Sequence, residues 1–200
     1  MNYFTADTHF FHESLVHDMM FSYREFLSVR EMNEQIVRAW NDAVSEEDTV
    51  YHLGDVALVS GRTREYERLH RLLIRLHGQI VLVKGNHDPR ALFKYLARQN
   101  AVTADGRPKY VFNDVGLILK FDRKQFFLTH YPLIVGNRGN RINLHGHIHH
   151  SAVNLSTCLN VGVDSPEADY LPYRRPFGRP FSEEEVLGML EGKQIDFGRR

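Results

Sequence analysis

Five short apolar runs in this 200-residue chain stop directly at residues able to bind metal ions. "YFTA" runs into Asp7-Thr8-His9, "VYHL" into Gly54-Asp55, "IVLVK" into Gly85-Asn86-His87-Asp88, "FFLT" into His130, and "INLH" into Gly146-His147-Ile148-His149. Runs of this length and composition read as strands. In open α/β sheets, ligand sites gather at the carboxyl ends of strands, so fragments far apart in sequence can converge in space.

The intervening segments carry helical signals. Residues 28 to 44 place Met32, Ile36, Trp40 and Val44 on one stripe behind a Ser28/Glu31 capping box. Thr63 to Leu76 turns Tyr66, Leu69, Leu73 and Leu76 inward, with Gly78 as its stop, and Pro89 opens a further short helix. "QIVLVK" (79 to 84) has the near-continuous apolar character of a strand covered on both faces. Beyond residue 100 the chain reads as hairpin-like segments: "YVFN", "VGLILKF", "KQFFLTH", "INLHGH" and "CLNVGVD". "GNRGNR" (136 to 141) and "LPYRRPFGRP" (171 to 180) read as loops, and a last helix from Ser182 to Leu190 opens on a Ser182/Glu185 capping box. The sum is a mixed α/β layered fold with two sheets and no internal repeat or domain linker.

Composition narrows the partners. Lysine plus arginine and aspartate plus glutamate number 25 each, so no overall field draws the chain to nucleic acid or to an anionic membrane. "MNYFTADTHFF" lacks the basic flank and apolar stretch of a signal peptide, and no run reaches the length of a membrane span, which places the protein in the cytoplasm. Cys158 has no second cysteine to pair with and reads as a small buried hydrophobe.

Each polar fragment alone has an ordinary reading. A Gly-Asp is a turn, a single histidine such as His130 is a hydrogen-bonded structural residue, and "LHGHIHH" (144 to 150) can be a solvated loop. Together and in this order, D-x-H, G-D, G-N-H-D, H and G-H-x-H, they resemble the calcineurin-like metallophosphoesterases from Asn2 to Asp164, and the small stand-alone bacterial or phage members most. The resemblance implies an α/β fold, a four-layer α/β/β/α sandwich of two mixed sheets flanked by helices. It implies one domain over residues 1 to 200, with 165 to 200 an extension of open role.

It also implies two divalent metal ions. The first would take Asp7, His9 and His149, the second Asn86, His130 and His147, with Asp55 bridging them. Oxygen and imidazole donors without thiolate suit Mn²⁺, Fe, Zn²⁺ or Ni²⁺, and manganese is favoured. Two such ions bring four positive charges, of which Asp7, Asp55 and a bridging hydroxide remove three, so the centre still attracts a phosphate oxyanion. In this reading that hydroxide is the nucleophile. His87 is then the general acid, its ring held by Asp88, although Asp88 also reads as a helix cap before Pro89.

Other histidines have weaker claims: His12 can touch substrate, His52 and His145 can support ligands or fill the core, and His150 has no assigned role. Gly146 is expected to permit the turn that aims His147 and His149. Arg62, Arg138 and Arg141 are candidate phosphate contacts. Family phosphoprotein phosphatases extend G-D to G-D-x-x-D-R-G and use G-N-H-E; this chain has "GDVALVSG" and "GNHD". The expected reaction is therefore hydrolysis of a small phosphodiester, nucleotide-like or cyclic. The alternatives are a nuclease acting on nucleic-acid ends, with the two arginine-rich loops as a clamp, a broad phosphomonoesterase, or a metal-free binding scaffold. Nucleic acid is an allowed but not favoured partner, a membrane is not expected, and the oligomeric state stays open.

Overall fold

The computed structural model describes residues 1–17, 24–136 and 138–199. Asn137, within the expected 136 to 141 loop, lies outside the described residues, as does Arg200.

The first sheet contains β1 (Asn2–Thr5), β2 (Thr49–His52), β3 (Gln79–Val83), β4 (Tyr110–Asn113) and β9 (Phe181–Ser182), in the order β4-β3-β2-β1-β9. All its pairings are parallel except β1 with β9. The second sheet runs β5 (Gly116–Phe121), β6 (Lys124–Thr129), β7 (Arg141–His145), β8 (Cys158–Asn160). In this sheet β5 and β6 are antiparallel, whereas β6, β7 and β8 are parallel. The hairpin-like reading of residues 110 to 164 therefore holds only for β5 and β6. Strand β4 joins the first sheet, and the connections after β6 and β7 are loops long enough to return the chain for parallel pairing.

Among the described residues, five α-helices accompany the sheets: α1 (Ser14–His17), α2 (Val29–Asn41), α3 (Thr63–Leu73), α4 (Arg90–Arg98) and α5 (Glu183–Gly198). Alternation along the strands sorts side chains to two cores. Tyr3, Val50, Ile80 and Leu82 pack with Met32, Ile36, Trp40, Leu69, Leu73 and Leu96 of α2, α3 and α4. Phe4, Leu53 and Val83 face Phe126, Leu128, Ile142, Leu144 and Leu159 across the sandwich, joined by Val186, Met189 and Leu190 of α5. Each fully buried side chain of this size contributes about 1.5–3 kcal/mol relative to exposure.

Several boundaries differ from the sequence expectation for local reasons. Ser28 caps α2 as expected, but the Glu31 carboxylate accepts the N–H of Leu27, one residue before the cap, so the box is not closed. Helix α3 ends at Leu73 and not at Leu76; Gly78 (φ +74°) sits in the turn into β3, where a Cβ would lie 2.7 Å from the Asp48 carbonyl oxygen. Helix α5 has the full Ser182/Glu185 box and runs past Leu190 to Gly198. Gly192 does not stop it because the missing side chain admits the Tyr170 ring, whose hydroxyl donates to Asp196 one turn on.

The C-terminal segment is built into both sheets. Strand β9 closes an edge of the first, and Lys193 of α5 reaches the carbonyls of Val153 and Cys158 and the carboxylate of Glu167. Among the described residues no helix is long and apolar enough to cross a membrane.

Candidate metal centre

Parallel pairing within each sheet puts the carboxyl ends of β1, β2 and β3 together, and likewise those of β6, β7 and β8. A bridge between Ala6 and Gly162 then ties the two sheets at that end. There the chain leaves β1, β2 and β7 through tight backbone. Asp7, His9, Asp55, His147 and His149 all have φ between 46° and 73°. Non-glycine residues reach this left-handed region only at a cost, and clusters of them mark sites whose surroundings hold them there.

Two groups of side chains result. Donor atoms of Asp7, His9 and His149 lie within 4.8 Å of one another, and so do those of Asp55, His130 and His147. Asn86 completes the second group, with Oδ1 at 2.8 Å from Nε2 of His130 and 2.9 Å from Nδ1 of His147. Asp55 stands between the groups, its Oδ2 at 3.6 Å from Nε2 of His9 and 3.5 Å from Nε2 of His130. All seven sequence-derived ligand candidates therefore meet in one place.

Glycines make that approach sterically feasible. A Cβ on Gly54 would lie 2.6 Å from Nδ1 of His130, one on Gly146 would lie 2.6 Å from Oδ2 of Asp7, and one on Gly85 would overlap the Asp55 carboxylate. Gly146 therefore has a different role from the expected one. It makes room for Asp7, while His147 and His149 themselves adopt the left-handed backbone.

Residues 3–196 match the calcineurin-like phosphoesterase family. The chain belongs to that family. An uncharacterized protein of Methanocaldococcus jannaschii is 30% identical to this phosphoesterase over 136 residues, covering 66% of this chain and 74% of the relative. A protein of unknown function from Aquifex aeolicus superposes with a TM-score of 0.63 over 93% of this chain and 97% of that one, at 24% identity, and shares the fold. The family match runs through the C-terminal segment, in keeping with the place of β9 and α5 in the core between the sheets.

The polar groups of the phosphoesterase suit a pair of cations. Nε2 of His9 is buried and has no hydrogen-bond partner. His130 donates its Nδ1–H to the Leu53 carbonyl at 2.8 Å, so its neutral ring has no proton left for Asn86 Oδ1, and a cation shared by the two acceptors satisfies both. Burial, then the nearby Asp164 and Asp55 carboxylates, push the Asp7 carboxyl well above its usual range. Positive charge at the site relieves that repulsion. Burial holds His9 well below the usual imidazole value and lowers His130 and His147 in the same direction, which favours the neutral rings that metals bind.

Two residues here had no role in the sequence reading. Asp164 accepts Nδ1–H of His149 at 3.2 Å and so orients that ring. Arg24, 3% exposed, donates to the backbone oxygens of Asp7 and Thr8 and reaches Asp164 at 3.0 Å. Its charge offsets that of Asp164, so the third carboxylate does not cancel the attraction for phosphate. The sequence offers a faint signal for Asp164, which ends the strand-like "LNVGVD", and none for Arg24 within "FSYREF".

The outer residues correct several expectations. Asp88 neither caps α4, whose N-cap is Pro89, nor holds the His87 ring. Its carboxylate accepts the N–H groups of Asp55 (2.8 Å), Val56 (3.0 Å) and Gly85 (2.9 Å). Burial pushes that carboxyl up to about 6 against the pull of the three donors. His87 is exposed, with its backbone N–H on Asp55 Oδ1 at 2.8 Å and its ring centroid 5.3 Å from that of His9 and 6.1 Å from that of His12. His12 lies on the same rim, its Nδ1 3.2 Å from Nδ1 of His9.

His52 donates Nε2–H to the Thr8 hydroxyl, which donates to the Val56 carbonyl, so it props the turn between Asp7 and His9. His145 donates to the Gly146 carbonyl, and His150 is exposed. Arg138 and Arg141 lie at the amino end of β7, roughly 13 Å of strand from His145, because residues that precede a strand sit at the end opposite those that follow it. They are not at the site. Arg175 and Arg179 of the other loop both bind Glu185 and anchor α5, so these two guanidinium groups are engaged within the chain.

Proposed function

We propose that this phosphoesterase hydrolyses small phosphodiesters, nucleotide-like or cyclic, with two divalent ions held by Asp7, His9 and His149 and by Asn86, His130 and His147. Manganese is the favoured metal. The position of the Asp55 carboxylate, one oxygen between His9 of the first group and His130 of the second, is the observation that carries the reading. Ions bound there supply Lewis acidity toward the phosphoryl oxygens and lower the pKa of water.

The chain's own groups do the rest. His87, exposed at the rim, gives a proton to the leaving oxygen from its ring. His12, next to it, lines the path of the leaving group. A diester is preferred to a monoester dianion because the guanidinium touching site residues, that of Arg24, is buried and engaged by Asp7, Thr8 and Asp164.

Turnover of a bis-aryl phosphate and of the matching aryl monoester, each with Mn²⁺, tests the proposal. The expected result is a higher kcat/KM for the diester and loss of both activities in Asp55→Asn. Wild-type kcat in Asp55→Asn would overturn the mechanism, and faster monoester turnover would overturn the substrate preference.

A further inference from the structure

Helix α3 carries Arg64, Arg68 and Arg71 along one helical stripe, and Arg75 follows just past its end, four residues after Arg71. Helix α2 presents Arg30 on the facing side, and a groove of about 400 Å³ runs between them. Phe11, Arg30, Glu34, Arg68, Arg71 and Arg75 line it. The whole chain has no net charge, so this concentration is local.

Only part of the charge is neutralised. Arg75 pairs with Glu34 through two hydrogen bonds, at 2.8 and 2.5 Å. Arg30, Arg68 and Arg71 make no ion pair among the described residues, although Glu67 lies four positions before Arg71, within ordinary helical reach. Three exposed guanidinium groups therefore face one groove with their donors available.

The groove adjoins the candidate metal centre. Phe11, at its end, is two residues from His9, so their Cα atoms are at most about 7 Å apart. The Phe11 backbone is left-handed (φ 66°), and its N–H is held by the buried Asn33 side chain at 3.3 Å. That geometry sets the ring under Arg68, whose guanidinium lies 4.1 Å from the ring centroid. Stacking fixes the guanidinium plane and leaves its N–H edge for a ligand, the arrangement that suits fork-like recognition of phosphate oxygens.

We propose that this groove is an anion subsite that takes phosphate groups lying beyond the ester bond being cleaved, so that the preferred substrates carry several phosphates. The chemistry is that of a polyphosphate or phosphodiester chain, supplied by a nucleoside polyphosphate or by a nucleic-acid end. The placement beside a cleaved ester rests on the phosphodiesterase reading above; anion binding in the groove does not.

The test separates the two. Metal-free protein in EDTA is titrated into a fluorescent oligothymidylate and competed with tripolyphosphate, for wild type, Arg68→Gln/Arg71→Gln, and Arg98→Gln on α4 as control. All three positions are exposed, so the variants keep their cores. The double variant is expected to bind roughly tenfold more weakly per arginine removed, and its log affinity to depend less steeply on log salt by about 0.7 per arginine. Arg98→Gln is expected to match wild type.

Displacement by tripolyphosphate would identify a small polyphosphate as the ligand, and displacement only by unlabelled strand a nucleic-acid end; either supports the subsite. Equal affinity of the double variant and wild type, or no binding of either probe by wild type at about 50 mM salt, would overturn it. A protein that binds both probes but turns over no ester would instead overturn the hydrolase reading and leave the groove in place.

Discussion

The carboxylate of Asp88 accepts the backbone N–H of Asp55 across 33 residues of sequence, at 2.8 Å. With the N–H groups of Val56 and Gly85 it forms a buried clamp that joins the exits of β2 and β3 and sets where the Asp55 side chain stands. Asp88→Ala leaves three donors without an acceptor, and each buried unsatisfied donor costs about 1–3 kcal/mol. Urea unfolding is expected to show a loss of about 3 kcal/mol or more. A loss below about 1 kcal/mol would mean that the clamp is not structural.

Arg24 and Asp164 support the site from behind. Removal of either charge uncouples the His149 ring from its hydrogen-bond partner or leaves Asp164 uncompensated. Partners of this kind are worth about 10–100-fold in metal affinity. Competition with a chelating dye is expected to show that drop for Asp164→Asn and Arg24→Met, with the folded circular dichroism spectrum retained. Unchanged affinity would remove both residues from the site.

His52 makes stability depend on pH. Burial lowers its imidazole to about 3, far below the unfolded value of about 6.5. A depressed histidine resists protonation when folded, so its contribution is intact above 6.5 and is lost progressively as pH falls toward 3. At pH 5 the loss is about 2 kcal/mol. Metal-free wild type and His52→Gln, unfolded in urea at pH 7 and pH 5, should differ in their pH sensitivity by about that amount. Equal sensitivity would show that another group governs acid stability.

Lys193 and Glu167 form an ion pair with both side chains about 2% exposed, completed by the carbonyls of Val153 and Cys158. Removal of one partner from such a pair costs about 3–5 kcal/mol because the other charge stays buried. Lys193→Met should show this cost, and Lys193→Met/Glu167→Gln should recover part of it in a double-mutant cycle. Additive losses would show that the two charges do not interact.

The sequence made the ligand set legible because each candidate follows a strand, and parallel pairing carries every such residue to the same end of its sheet. That places the fragments holding Asp7, Asp55, Asn86 and His147 together; which of their residues are ligands came from the resemblance to the phosphoesterase family. Arg24 and Asp88 could not be read, since their value lies in which backbone atoms they reach, and that depends on turns whose left-handed residues carry no signature in Asp or His. Arg138 and Arg141 misled for the converse reason: composition marks a loop as basic without saying at which end of the strand it lies. The pairing of β4 with β3 escaped notice because a short apolar strand reads alike in either sheet. Helix α5 outran its expected end because a glycine that usually interrupts a helix is here a seat for Tyr170.

The central claim is that Asp55 joins two cation sites. Metal content after equilibrium dialysis against Mn²⁺, measured by elemental analysis on wild type, His9→Ala/His149→Ala and Asp55→Asn, tests it most directly. The account predicts about two ions per chain in wild type, about one when His9 and His149 are removed, and weakened binding of both ions in Asp55→Asn. A wild-type protein that retains no ion, or an Asp55→Asn protein that holds both as tightly as wild type, would contradict it.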